Sequence, residues 1–356
     1  MLNQWIDTSS ASFVTQKQSI RFISELAADH PGMVQFEQIG ESEEGRPIIG
    51  IQVGLGNRNI SMMAGAHADE PVGPATLRLL SEQLIQNTSA FEDLLDKFRL
   101  FIIPHINPDG EIRNQPWIEQ WPDPNAMILH RIRELPGRDI EFGYPDMRVE
   151  NKAASSWWQN HAPFEMHINL HGMSISEGAL LLIDRYSVDH TRELQQNFHK
   201  YIQSTGLGFH DHDRQGEKGF TRIGKGLATT PESHKMREYF ETQQDHTTAA
   251  AFHQNSMEFI RSLGGNPLSL VTEFPLFKLP STAYESPGNP ENYFKLQKEL
   301  PDIQNTLQQG KSTHALEKAY QLETIPLDQA VKHQLKVIDL AFTHLNRIDQ
   351  SRNSSN

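Results

Sequence analysis

A histidine and a glutamate stand three residues apart directly after a short apolar run. The run extends from Ile60 to Ala66, with Gly65 near its end, and the pair is His67 and Glu70. Such a run before a glycine predicts a buried strand ending in a turn, which would bring both side chains to the carboxyl edge of a sheet. Imidazole nitrogen and carboxylate oxygen are ordinary zinc ligands, and this spacing lets both reach one cation. The pair is therefore a candidate for part of a metal site.

Two further ionisable residues follow apolar runs later in the chain. His171 comes after a predicted strand over residues 164–170, and Glu273 comes after another over residues 268–272. In a parallel sheet these strand ends meet at the edge that carries the first pair. Two histidines and one glutamate leave a fourth position on tetrahedral zinc open, which is typical of catalytic sites. Glu273 is then either a fourth ligand or, beside the water that occupies this position, its general base.

Composition limits the class of protein. With 356 residues, 37% hydrophobic and 22% charged, the chain has an ordinary soluble globular composition, and no apolar run is long enough to predict a membrane span. The first residues lack a basic stretch before an apolar core, so no secretory signal is expected and the expected location is cytoplasmic. The chain has no cysteine, so any metal must be held by His, Asp or Glu. The formal charge of -13 argues against nucleic acid as a partner.

Predicted strands and helices alternate along most of the chain. The predicted strands cover residues 34–39, 47–53, 60–66, 98–103, 164–170, 180–183 and 268–272, and the predicted helices cover residues 13–29, 76–84, 150–159, 192–205 and 246–263. This alternation predicts an α/β fold, a three-layer α/β/α arrangement around a central twisted, mostly parallel mixed sheet. Residues 111–149 are expected to form a long excursion on the ligand side of the sheet, and residues 206–235 a loop.

Several motifs, in this order along the chain, resemble those of the zinc metallocarboxypeptidases of the carboxypeptidase A type, also called funnelins. They occupy residues 39–48, 65–70, 106–110, 169–172 and 271–275. The resemblance implies the metallocarboxypeptidase fold, with its phosphorylase/hydrolase-type topology, and one zinc ion, with a second metal left open. By position, His67, Glu70 and His171 would bind zinc and Glu273 would activate water. His167 is the alternative third ligand, because it shares a strand face with His171.

The resemblance also implies an arginine that stabilises the oxyanion. Arg131 stands at about the expected distance along the chain, and Arg133 is the alternative. For the tyrosine that covers the substrate in the family, Tyr239 is the candidate.

The chain departs from the family where the substrate's terminal carboxylate is bound. The family commonly has Gly-x-Asp-x-Asn-Arg-Asn-Phe-Pro, whose Asn and Arg clasp the carboxylate, whereas here Glu141 and Phe142 occupy those two positions. Neither side chain offers the bidentate fork of an arginine. Arg148 is the candidate replacement, and Glu141 and Arg148 are the expected substrate-binding residues.

The sequence therefore predicts a zinc metallocarboxypeptidase that hydrolyses an amide bond of a peptide. An aspartoacylase-like or murein-peptide amidase acting on a small N-acyl amino acid or short peptide is the alternative, and a non-catalytic binding module is a third. Residues 1–285 would form the zinc peptidase catalytic domain, residues 286–350 a helical C-terminal extension, and residues 351–356 a disordered tail. Apolar residues recur every three or four positions from Val331 to Leu345. That stripe is expected to pack on the domain or to join a second subunit in a homo-oligomer.

Overall fold

The chain is organised around a mixed β-sheet, seen in a computed structural model that describes residues 6–311 and 314–353. In this part of the chain the strands are β1 (Val34–Glu41), β2 (Pro47–Val53), β3 (Arg58–Ala64), β4 (Phe98–Ile103), β5 (Met166–Ser176), β6 (Leu180–Ile183), β7 (Arg222–Gly224), β8 (Leu227–Thr229), β9 (Leu268–Lys278) and β10 (Glu323–Thr324). The helices are α1 (Gln16–Ala28), α2 (Val72–Gln86), α3 (Glu92–Leu95), α4 (Pro108–Ile118), α5 (Pro124–His130), α6 (Val149–His161), α7 (Arg192–Thr205), α8 (Ser233–Thr242), α9 (His246–Ala251), α10 (Ser256–Ser262), α11 (Glu291–Gln308), α12 (His314–Tyr320) and α13 (Leu327–Asn353).

The strand order places the predicted metal ligands in the centre of the sheet. The order is β1-β2-β4-β3-β5-β9-β6-β8-β7, with β10 paired to β9 outside this path. β4, β3, β5 and β9 form consecutive parallel ladders, while β1, β2 and β6 join antiparallel. The predicted mixed, mostly parallel sheet is therefore confirmed, and its parallel centre carries the site.

Helices cover both faces of the sheet, as the three-layer prediction requires. Successive residues of a strand point to opposite faces. Accordingly Met62 on β3 belongs to the core that contains residues of α1, α2 and α13, whereas Met63 belongs to a second core with Trp157 and Trp158 of α6. Both methionines are fully buried, which explains why β3 reads as a continuous apolar run rather than an alternating one.

Three regions differ from the expectation drawn from sequence. The excursion at residues 111–149 contains α5 and most of α4, so it is not one continuous loop. Residues 206–235 contain the short β7–β8 hairpin. The single helix expected over residues 246–263 is two helices, α9 and α10. The break occurs where Asn255 and Glu258 form a reciprocal capping box that begins α10.

The C-terminal residues are integrated into the same core. The apolar stripe of α13, including Val331, Ile338 and Phe342, is fully buried, and the helix packs on α2, α7 and β9. The stripe is thus covered within its own chain, which removes the reason to expect it at a subunit interface. The helix continues to Asn353, into the range 351–356 expected to form the tail, and residues 354–356 lie outside the described part.

In the described ranges, no helix has both the length and the apolar character required to cross a membrane.

Candidate metal centre

Three predicted ligands, two from the turn after β3 and one from β5, lie close together. Nδ1 of His67 lies 3.1 Å from Nδ1 of His171 and 3.1 Å from Oε1 of Glu70, and the other carboxylate oxygen of Glu70 lies 2.9 Å from Nδ1 of His171. Two ligands of a tetrahedral zinc ion are separated by roughly 3.3 Å when the metal–ligand bonds are about 2.0–2.2 Å long. The donor atoms and their spacing therefore fit a zinc ion.

The backbone that carries His67 and Glu70 is a tight turn after β3. Gly65 adopts a left-handed conformation with φ of +78°, and a Cβ atom there would lie 2.4 Å from Nδ1 of His105. Glycine is therefore required both for the backbone angle and for the space. The turn closes with a hydrogen bond from the backbone N–H of Glu70 to the carbonyl of His67, and α2 begins two residues later.

His171 lies within β5 rather than at its end, which corrects the sequence expectation. β3 stops at Ala64, opposite Leu170, whereas β5 and β9 continue together to Ser176 and Lys278. His171 is thus the first residue of β5 beyond the end of β3, and this step in the sheet exposes its side chain to the His67–Glu70 turn. The extension could not be foreseen from β5 alone, because it depends on the partner strand β9.

Glu273 also lies within its strand, and it is paired in register with His171. Glu70 and Glu273 both line a cavity of about 310 Å³. Among the described residues, the buried Oε2 of Glu273 has no hydrogen-bond partner, an arrangement that suits a group whose partner is a substrate or a water molecule. Burial and the Glu70 carboxylate raise the pKa of Glu273 to about 7, against the opposing effects of His171, His67 and Arg133.

The charges of the cluster favour an ionised Glu70. Burial would raise its pKa, but His67, Arg133 and His171 hold the pKa of Glu70 well below its ordinary value. Burial lowers the pKa of His171, yet Glu70 and Glu141 raise this pKa well above its ordinary value. A proton and a metal ion therefore compete for Nδ1 of His171, because metal binding needs the neutral ring.

Glu141 lies behind His171 rather than on the cavity wall. Its Oε2 is 3.3 Å from Nε2 of His171 and accepts a 2.6 Å hydrogen bond from Nδ2 of Asn169, and the side chain is buried. A carboxylate in this position accepts the Nε2 proton and leaves the lone pair on Nδ1 for a metal. In this structure Glu141 therefore contacts His171 and Asn169 and does not line the cavity, and the substrate contact expected from sequence stays a prediction.

Arg131 and Arg133 both line the cavity but have different partners. Arg133 donates from Nη1 to Oε1 of Glu70 at 2.6 Å and from Nη2 to Nδ1 of His67 at 2.7 Å. Arg131 is more weakly held, with Nη1 donating to Oγ of Ser174 at 3.4 Å. Arg131 is therefore the arginine whose guanidinium is less committed to the ligand set.

Three other residues considered from sequence are not brought to this site. Arg148 is buried and donates to both carboxylate oxygens of Glu150 at 3.0 and 3.2 Å, and it is not among the cavity-lining residues. His167 is fully buried, shares a 2.9 Å hydrogen bond with Oγ of Ser61, and lies outside the three-residue cluster. Tyr239 lies under the ammonium group of Lys218, 4.0 Å from its ring centroid, and does not line the cavity either.

Two residues that the sequence did not single out do line the cavity. Tyr293, in the first turn of α11, shares the wall with Arg214 from the segment before β7. Both residues share the cavity wall with Ser174 of β5, which is distant from them in sequence, so no local motif predicts their positions.

Comparisons with known proteins agree with this geometry. Residues 19–128 match the family model described as zinc carboxypeptidase. A carboxypeptidase B of Astacus astacus is 30% identical over 92 residues, which are 25% of this chain and 30% of that protein. A protein of Ajellomyces capsulatus described as an inactive metallocarboxypeptidase is 34% identical over 97 residues, which are 24% of this chain and 16% of that protein. The solved structure of a metallo-carboxypeptidase from Burkholderia cenocepacia has a TM-score of 0.53 at 12% identity, covering 94% of this chain and 70% of the other.

The sheet and its flanking helices have the metallocarboxypeptidase fold, and the three-donor cluster within it is a candidate metal centre. Residues 19–128 of the chain are similar to the zinc carboxypeptidase family, and the fold is that of the solved metallo-carboxypeptidase. The aligned stretches cover less than a third of the two curated relatives named above.

Proposed function

We propose that the protein is a zinc-dependent peptidase of the carboxypeptidase type, which hydrolyses an amide bond with Glu273 as its general base. The proposal is carried by one observation. Glu273, with an unpartnered carboxylate oxygen, is paired in register with His171 and lines the same cavity as Glu70.

The ligand set would be His67, Glu70 and His171. Zinc bound there would supply Lewis-acid polarisation of a carbonyl group and would acidify water. Glu273 would take a proton from the attacking water at its free Oε2 and return it to the leaving amine. Arg131, whose guanidinium is loosely held, would donate to the oxygen that gains negative charge.

The test compares Glu273→Gln with the unaltered protein on short peptides with free and amidated C-termini. The variant should keep about one zinc per chain and lose roughly 10²–10⁴-fold in kcat, the usual contribution of a general base. Glu323→Gln is the matched control. Glu323 is an exposed glutamate on β10 that pairs with Lys278, the last residue of β9, which is the strand that carries Glu273. Near-normal turnover by Glu273→Gln would remove the assigned base. Absence of peptidase activity from the unaltered, zinc-loaded protein would favour a non-catalytic role.

We also propose a cytoplasmic location, on the basis of the ordinary soluble composition of the chain.

A further inference from the structure

The cavity beside the metal ligands has a wall of mixed character. Apolar side chains such as Leu180, Leu182 and Leu296 form much of the surface, and the acids Glu70 and Glu273 lie on it as well. Three arginines also line the cavity: Arg131, Arg133 and Arg214. A cavity with this lining is suited to a ligand that combines an apolar group with a negative charge.

In the family that this chain resembles, two positions bind the substrate's terminal carboxylate. In this chain neither position carries a cationic side chain. Glu141 occupies one of them and is directed to His171 and Asn169. Phe142 occupies the other and is buried against the ring of Phe252, with the ring centroids 5.2 Å apart. A substrate carboxylate would therefore need a cation from another part of the chain.

Of the three cavity arginines, two have acidic neighbours in the protein. Arg133 is bound to Glu70 and Asp69, and Nε of Arg131 lies 3.7 Å from Oδ2 of Asp69. No ion pair of Arg214 occurs within residues 6–311 and 314–353, although Asp211 lies nearby in sequence, because that carboxylate pairs with Arg222.

Arg214 is nevertheless held in place. Its guanidinium lies 4.1 Å above the centroid of the Phe220 ring. Two backbone hydrogen bonds stabilise the turn between these residues. The N–H of Gly216 donates to the carbonyl of Phe220, and the N–H of Glu217 donates to the carbonyl of Arg214. Stacking on an aromatic face restricts the guanidinium plane and leaves its N–H edge available for a bidentate contact.

We propose that Arg214 binds a carboxylate group of the substrate, in the place of the clasp that Glu141 and Phe142 cannot form. The inference rests on the proposed peptidase function and specifies its substrate class as a peptide bearing a carboxylate at the residue that enters the cavity. That carboxylate has two chemical sources, the free C-terminus or an acidic side chain. The bidentate contact fits either.

The experiment measures equilibrium binding to zinc-loaded Glu273→Gln protein, in which turnover does not interfere. Three probes are titrated by calorimetry: N-acetyl-Gly-Phe with a free C-terminus, the same peptide as its C-terminal amide, and N-acetyl-Gly-Glu amide. We expect one or both carboxylate probes to bind at least tenfold more tightly than the uncharged amide. Arg214→Gln should abolish this difference, because a charged hydrogen bond contributes roughly ten- to hundredfold in affinity. The probe that loses affinity identifies the source of the carboxylate.

Two further variants separate recognition from packing. Arg214→Lys keeps the charge without the fork and should give an intermediate affinity. Arg185→Gln is the matched control, since Arg185 also lies over an aromatic ring, that of Tyr186, but is not a cavity residue. It should leave all three affinities unchanged.

The inference would be overturned if Arg214→Gln bound the three probes like the protein with Arg214, or if neither carboxylate probe bound more tightly than the amide. Failure of the proposed function is a separate result. In that case protein with Glu273 intact would hydrolyse none of the probes, whatever the effect of Arg214 on binding.

Discussion

His171 and Glu273 are direct partners across the parallel strands β5 and β9. One is the predicted third metal ligand and the other is the proposed base. Residues paired in register on adjacent strands lie close together on the same face of the sheet. The backbone hydrogen bonds of this central ladder therefore fix the separation of the two groups, and no loop has to close to bring them together.

The contact between Glu141 and His171 predicts an effect on metal affinity. Glu141→Gln removes the negative charge 3.3 Å from Nε2 of His171 while keeping the size of the side chain. We expect zinc affinity to fall about tenfold or more, the usual effect of losing the carboxylate behind a ligating histidine. Competition with a coloured chelator measures this directly. An affinity equal to that of the unaltered protein would mean that Glu141 does not orient His171.

The turn at Gly65 predicts a loss of both stability and metal binding. Gly65→Ala places a Cβ atom against His105 and forces a left-handed backbone angle on alanine. We expect a loss of about 1–3 kcal/mol in the free energy of unfolding, and weaker zinc binding because the turn carries His67. Gly45→Ala is the matched control, since Gly45 has a φ of +76° but nothing within 4 Å of its added Cβ. Equal losses in denaturant titrations of the two variants would exclude a contribution from the His105 clash.

The hydrogen bonds of Glu177 connect it to the start of helix α11, which carries the cavity residue Tyr293. Its buried carboxylate accepts hydrogen bonds from the backbone N–H groups of Asn292 and Tyr293, at 2.8 and 3.1 Å, and so holds the start of the helix. Glu177→Gln removes the charge that complements the helix N-terminus, which costs up to about 2 kcal/mol.

Because Tyr293 is carried by this helix end, we also expect the KM for peptides to rise in Glu177→Gln, with zinc content unchanged. Glu291→Gln, at an exposed glutamate of the same helix end, should change both quantities less. A Glu177→Gln protein with unaltered KM would show that Glu177 acts on stability alone.

Because His105 is buried, we expect the stability of the protein to depend on pH. Burial lowers its pKa to about 4, with Glu111 opposing this shift and Arg78 adding to it. The neutral ring accepts a 3.1 Å hydrogen bond at Nδ1 from the backbone N–H of Asn107. Because the folded-state pKa lies below the unfolded value of about 6.5, the stabilisation is complete above pH 6.5 and is lost as the pH falls toward 4.

Between pH 7 and pH 5, this histidine should account for a loss of about 2 kcal/mol in the free energy of unfolding. His105→Gln cannot titrate in this range, so its loss should be smaller by that amount, while the other buried histidines contribute equally to both proteins. Parallel denaturant titrations at the two pH values measure the difference. Identical pH dependence would show that His105 is not buried in its neutral form.

The parts of the fold that follow from local pattern were predicted closely. The expected strand over residues 98–103 and helix over residues 192–205 coincide with β4 and α7, because a continuous apolar run and a strongly amphipathic segment each identify their own structure. The break between α9 and α10 could also have been found, since Asn255 and Glu258 carry a capping-box signature. The extension of β5 and β9 beyond the end of β3 could not have been found from sequence, because each of these two strands is extended by pairing with the other.

For the site too, some residues could be predicted from sequence and others could not. His67 and Glu70 belong to one turn and His171 to a recognisable motif, so sequence was sufficient to propose them together. The place of Arg148 depends on its buried ion pair with Glu150, and that of Arg214 depends on a fold-back of distant segments. Neither the ion pair between residues two apart nor the tertiary arrangement around Arg214 produces a periodic pattern in the sequence.

The most direct test of the account is a crystal structure of the zinc-loaded protein with diffraction data on both sides of the zinc absorption edge. We expect one anomalous peak about 2.0–2.2 Å from Nδ1 of His67, Nδ1 of His171 and a carboxylate oxygen of Glu70. A zinc peak bound elsewhere, or none at this cluster, would contradict the proposed metal centre and the hydrolytic function that depends on it.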